Sequence, residues 1–205
     1  NIMAFVDSEE YEIFKNAKVF GSLIRVSDED MKRLEEDKGP LFEAVQERLR
    51  KQARFLWQKY DCVVTNPPYM YSKYMENTLQ AFLNKEYTQT KSDLFASFMV
   101  RNIELIQVNS MLSFVTPYVW MFIKNYEWLR KYLLENTTIN NLIQLEYNAF
   151  EPACVPIATF TLQNKKHDNY KGSYVRLVDF KGHETQAPKT LEAIHNHNCG
   201  WFYTA

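Results

Sequence analysis

Tyr60-Asp61-Cys62-Val63-Val64-Thr65-Asn66-Pro67-Pro68-Tyr69 is the stretch on which the fold turns. An apolar run this short, with charge on one side and prolines on the other, reads as a buried strand of a parallel sheet. Pro67 and Pro68 fix φ and supply no N–H, so Asn66 is held extended and neither a helix nor a ladder can continue. The strand therefore ends in a rigid lip carrying the Asn66 amide oxygen, the Pro67 main-chain carbonyl and the Tyr69 ring. In open α/β sheets, ligands bind at that carboxyl edge.

These groups suit one chemical task. The lone pair of an amino group conjugated to a ring is delocalised, which makes the nitrogen a poor nucleophile. Two acceptors gripping its two hydrogens favour a pyramidal nitrogen with the lone pair aimed at an electrophile. An aromatic face beside them holds a planar substrate by stacking, worth roughly 1–3 kcal/mol per base. Asn66, Pro67, Pro68 and Tyr69 are thus the candidate catalytic residues, and Tyr69 also the candidate base-binding one.

Upstream, Ser8 can cap a helix over Glu9–Lys18, and Val19–Val26 has strand composition. A charged helical stretch over Asp28–Lys38 ends at Gly39-Pro40. From Leu41, the spacing of Phe42, Val45, Leu49, Ala53, Leu56 and Tyr60 predicts an amphipathic helix leading into the strand, with Arg48, Arg50, Lys51 and Arg54 off its apolar stripe. Downstream, Met70–Tyr74 forms a polar-aromatic loop and Glu76–Leu83 a short helix. Ser92-Asp93 caps a helix whose face is Phe95, Phe98, Met99, Ile103 and Ile106. Further strands are expected over Ser110–Thr116, Ile139–Glu146 and Pro156–Leu162, with Tyr174–Phe180 as the hairpin partner of the last. Three units follow: an N-terminal helical and strand segment over 1–59, a catalytic-motif half-domain over 60–180, and a C-terminal helix and tail over 181–205.

Asp-Cys-Val-Val-Thr-Asn-Pro-Pro-Tyr resembles the catalytic motif of the adenine-N6 DNA methyltransferases. The Phe-Gly-Ser-Leu-Ile segment before it and Glu-Tyr-Asn-Ala-Phe-Glu-Pro-Ala-Cys-Val-Pro after it resemble the large phage-exclusion (BREX-type) members. The resemblance implies an α/β fold: part of a Rossmann-like, S-adenosylmethionine-dependent methyltransferase sheet with flanking helices and a C-terminal β-hairpin. It implies S-adenosylmethionine as cofactor and double-stranded DNA as partner, with restriction or phage-defence subunits alongside. It also puts Asp93, Leu94 and Phe95 beside the cofactor and makes Phe150 the second wall of a flipped-base pocket. That chemistry requires no metal. Methyltransferases acting on cytosine N4, RNA guanine N2 or protein glutamine share the motif's logic, and a catalytically silent binding or assembly module remains a separate class.

The 205 residues suit one domain, at 46% hydrophobic and 24% charged. A formal net charge of -1 excludes a general polyanion binder, so contact with DNA needs a local basic surface or another domain. No apolar run reaches membrane-spanning length. Cys62, Cys154 and Cys199 lack zinc spacing and read as reduced thiols of a cytoplasmic protein. His195, His197 and Cys199 have no fourth ligand at sensible spacing. No glycine-rich strand-to-helix turn precedes Asn66; Gly21 and Gly39 do not fit one. The expectation is a fragment lacking the main cofactor-cradling turn, inactive by itself. Its catalytic strand is missing a neighbour, leaving an edge open to self-association.

Overall fold

The computed structural model describes residues 13–36, 43–147 and 155–205. Its centre is a six-stranded mixed sheet formed by β1 (Tyr60–Thr65), β2 (Ile106–Pro117), β3 (Thr138–Gln144), β4 (Ile157–Gln163), β5 (Ser173–Arg176) and β6 (Phe202–Thr204). The spatial order is β1-β2-β4-β3-β5-β6. β1 and β2 are parallel, and β4 runs antiparallel between β2 and β3. The helices are α1 (Ala17–Phe20), α2 (Asp28–Glu36), α3 (Glu43–Trp57), α4 (Asn77–Glu86), α5 (Leu94–Leu105), α6 (Glu127–Asn136) and α7 (His183–His195).

Alternation along the strands sends Leu112, Phe114, Ala158, Phe160, Leu162 and Leu142 to one face, where they pack with Phe95, Met99, Leu129 and Leu133 from α5 and α6. α5 meets this core and a second cluster around Leu23, Leu79 and Leu83, and ten of its twelve residues are buried. The opposite face carries Cys62, Val64, Met111 and Ser113, none of them buried.

Three sequence expectations change. β1 is parallel as expected, but it is the edge strand and not a buried one: no side chain in it is buried, and Val64 is 76% exposed. The apolar composition equips it for burial on both sides, and among the described residues only β2 pairs with it. Second, Val19–Val26 is not a strand. α1 runs to Phe20, Gly21 turns the chain at φ 53°, and a 3-10 turn covers Gly21–Leu23. Carbonyls that a strand would offer to a neighbour go to a side chain instead. Arg101, 5% exposed on α5, donates to the carbonyl oxygens of Ser22 (3.0 Å), Ile24 (2.9 Å) and Leu56 (2.6 Å). Arg25 completes the tie, donating to both carboxylate oxygens of Glu104 at 2.6 and 2.8 Å and lying 4.1 Å over the Tyr87 ring.

Third, the stretch after β4 does not fold back on it. β4 already has β2 on one side and β3 on the other, so β5 crosses to pair parallel with β3 and antiparallel with β6. The C-terminal hairpin-like pair is therefore β5 with β6, anchored by a small cluster of Val175, Leu177, Ala193 and Cys199. His197, in the C-terminal tail, stacks on Phe202 with ring centroids 4.2 Å apart.

Candidate active site

β1 and β2 both end at a proline-marked break, and the candidate site lies at these neighbouring carboxyl ends. Thr65 opposite Phe114 is the last registered pair between them. Immediately beyond, Asn66 is exposed, Pro67 buried, Pro68 exposed and Tyr69 half-buried. The buried Pro67 anchors the lip, leaving the Asn66 amide at the surface. Tyr69 lies edge-on to Phe95, with centroids 6.4 Å apart and planes at 86°, an arrangement aromatic quadrupoles favour. Its hydroxyl is 2.6 Å from Asn66 Oδ1 and 3.0 Å from the Val115 carbonyl oxygen on β2. Burial raises the Tyr69 phenol above its ordinary range, so it stays protonated at neutral pH.

The sequence places the Asn66–Tyr69 lip and the Asp93–Phe95 helix start far apart; the fold joins them. Met70 accepts from the Leu94 N–H at 3.0 Å, Ser72 N–H donates to the Ser92 carbonyl at 3.0 Å, and Tyr71 and Asp93 form an isolated antiparallel bridge. Asp93 occupies the N-cap position of α5, yet its carboxyl makes no capping hydrogen bond. It is 3% exposed, its Oδ2 accepts from the Tyr126 hydroxyl at 3.4 Å, and its Oδ1 has no partner. Burial pushes this carboxyl above the usual carboxylate range, against the nearby N–H groups of Phe95 and Met70 and the Tyr126 hydroxyl, which pull it down. Leu94 and Phe95 are both buried, Phe95 completely. Phe150 lies outside the described residues, so the second wall of the expected pocket has no geometry here.

Sequence reasoning placed Tyr71 in the loop over the site but missed the contacts of Tyr126 and of the Val115 carbonyl. Tyr126 reads in the sequence as one more apolar helix position, and a main-chain acceptor is the same for any residue type. Part of the basic side of α3 is used internally: Arg50 donates to the Leu34 carbonyl at 2.7 Å, and Arg54 lies 3.4 Å from Glu35. Among the described residues, no cluster of His, Cys, Asp and Glu could hold a metal ion, and no helix is long and apolar enough to cross a membrane.

A family model described as Eco57I restriction-modification methylase matches residues 6–150. The chain belongs to the Eco57I restriction-modification methylase family. Among its relatives, the adenine-specific methyltransferase BrxX of Escherichia coli is 34% identical across 96% of the chain. The adenine-specific methyltransferase PglX of Lacticaseibacillus casei is 35% identical across 76% of it. The chain spans only 18% and 13% of those two proteins' own lengths. In structure, it resembles a class I S-adenosylmethionine-dependent methyltransferase from Listeria monocytogenes (TM-score 0.51, 16% identity, 83% of this chain and 53% of that one). It also resembles the modification subunit of a type I restriction enzyme from Vibrio vulnificus (TM-score 0.56, 12% identity, 87% of this chain and 45% of that one). The α/β sheet with β4 inserted antiparallel is thus a class I methyltransferase sheet in fold.

Proposed function

We propose that this chain is the amine-gripping half of a DNA adenine-N6 methyltransferase, working within a longer protein. The carrying observation is the lip after β1: an exposed carboxamide next to two residues without N–H groups, backed by a half-buried aromatic ring. Family membership supports reading it as a methyl-transfer site. When bound, S-adenosylmethionine supplies an electrophilic methyl group on a sulfonium.

In this reading, an adenine swung out of the duplex lies against Tyr69. Asn66 Oδ1 and the Pro67 carbonyl accept the two N6 hydrogens, and the nitrogen lone pair is left facing the electrophile. Positioning does most of the catalytic work. The described residues fit one side of the cofactor. Asp93 holds a buried carboxylate oxygen without a partner, and the buried Leu94 and Phe95 form the apolar floor beneath the lip. A glycine-rich cradle is not part of this sequence and would come from elsewhere in the longer protein. Among the described residues only β2 pairs with β1, and its other edge is the surface for pairing with such a segment or with a second copy of the chain.

The test uses the full-length protein, duplex DNA and labelled S-adenosylmethionine, followed by nucleoside digestion. The label should appear on adenine N6. Asn66→Ala should lower kcat by about 10²–10³-fold, the usual effect of removing one preorganised partner of the transition state, and leave KM near its original value. Label on cytosine N4, or an Asn66→Ala variant as active as the original, would overturn the reading.

A further inference from the structure

The Tyr69 hydroxyl faces two acceptors, Asn66 Oδ1 at 2.6 Å and the Val115 carbonyl oxygen at 3.0 Å. A phenol has one hydrogen and can aim it well at only one of them. The two acceptors are not equally adjustable. The Val115 carbonyl is fixed by the backbone of β2, and the chain facing it past the last β1 pair is Asn66-Pro67-Pro68, whose prolines have no N–H to give. The Asn66 carboxamide, in contrast, exchanges oxygen and nitrogen by a half-turn about Cβ–Cγ without changing shape, and the hydrogen-bond network decides its orientation.

We infer that Tyr69 is a positioning residue as well as a stacking face: its hydroxyl sets the orientation of the Asn66 amide. In the working arrangement, Asn66 Nδ2–H donates to Tyr69 Oη and Tyr69 O–H donates to the Val115 carbonyl. Asn66 Oδ1 is thereby turned away from Tyr69 to the exposed side of the lip. The phenol hydrogen and one amide hydrogen then each have an acceptor, and no two acceptors face each other. In the opposite orientation, the amide oxygen is already engaged by the phenol and the NH2 group faces outward. Two donors, NH2 and an incoming amino group, would then confront each other. The spacing in the motif follows from this: the prolines that make the lip rigid also take away N–H donors, and a hydroxyl three residues after Asn66 supplies one. The raised phenol pKa suits the role, since a phenolate could not donate to Val115.

The inference rests on the reading of Asn66 as acceptor for the reacting amino group, and its test has an arm independent of activity. In protein labelled with 15N-asparagine, the Asn66 side-chain NH2 signal, assigned by its loss in Asn66→Ala, should have one slowly exchanging hydrogen. Tyr69→Phe should abolish that protection. If Tyr69→Phe leaves the Asn66 NH2 signal unchanged, the inference is wrong whatever the enzyme does. In the kinetic arm, Tyr69→Phe keeps the ring, so KM and the fluorescence of a base analogue at the target position should stay within about twofold. kcat should fall roughly ten- to a hundredfold, as expected when a reacting group loses its alignment. A wild-type kcat in Tyr69→Phe would also overturn the inference and leave the methyltransferase reading standing. Absence of adenine methylation by the unaltered protein would remove that reading alone.

Discussion

β1 and β2 are parallel neighbours, each stopped by proline, yet they contribute to the molecule in opposite ways. β1 has six residues and no buried side chain, and the proline-stiffened lip of the candidate site grows from its end. β2 has twelve, and Leu112, Phe114 and Thr116 are at most 1% exposed. The lip is therefore held by its neighbour: Pro67 is buried, Tyr69 leans on Phe95 and reaches the Val115 carbonyl, and the following loop pairs with the start of α5.

That contrast can be broken most severely on β2. Phe114 packs at 5.4 Å from Phe160 between centroids and is 1% exposed, so Phe114→Ala should cost about 3–5 kcal/mol of unfolding free energy. Denaturant titration measures it, and a loss under about 1 kcal/mol would mean that β2 is not the strand holding the sheet together.

Asp93, where the lip meets α5, gives a smaller, pH-dependent effect. Its carboxyl sits above the ordinary range because burial disfavours the charged form. An acid raised in this way lowers stability as pH climbs from the unfolded-chain value through the folded one. Asp93→Asn removes that titration. Thermal melts should therefore show the original protein gaining on the Asn variant as pH falls from neutral toward 4. A gap independent of pH would show that the carboxyl does not titrate differently on folding.

The smallest effect belongs to β1. Val64→Ser should change the stability of this chain by no more than about 0.5 kcal/mol, as for other exposed positions. A larger loss in the longer protein, with none here, would reveal that another segment covers the strand.

How much of this was legible in the sequence depended on where the information lies. Apolar runs and prolines marked β1, β2 and their ends, and helical spacing marked α5 through Phe95, Met99 and Ile103. The Asn66–Tyr69 lip was readable as a rigid break after a strand because two prolines dictate it. The exposure of Val64 was not, since composition records what a strand is equipped to bury and not which neighbours are present. The same apolar content that suits a strand at Val19–Val26 also suits a buried turn, and the choice was made by Arg101, more than seventy residues away. The pairing of β5 with β3 depended on β4 having no free edge. Tyr69's second contact was invisible because Val115 contributes only its main chain.

Arg101 has a further consequence, for the order in which the molecule can be made. Its guanidinium serves carbonyls on both sides of α2, at Ser22, Ile24 and Leu56, and Arg25 on the same segment waits for Glu104. A ribosome delivers the early carbonyls long before the residue that satisfies them. Until α5 is synthesised, the segment around residues 22–25 has the apolar side chains of its final state without the donors that hold its backbone. The last partners of this segment's carbonyls are therefore among residues made well after it.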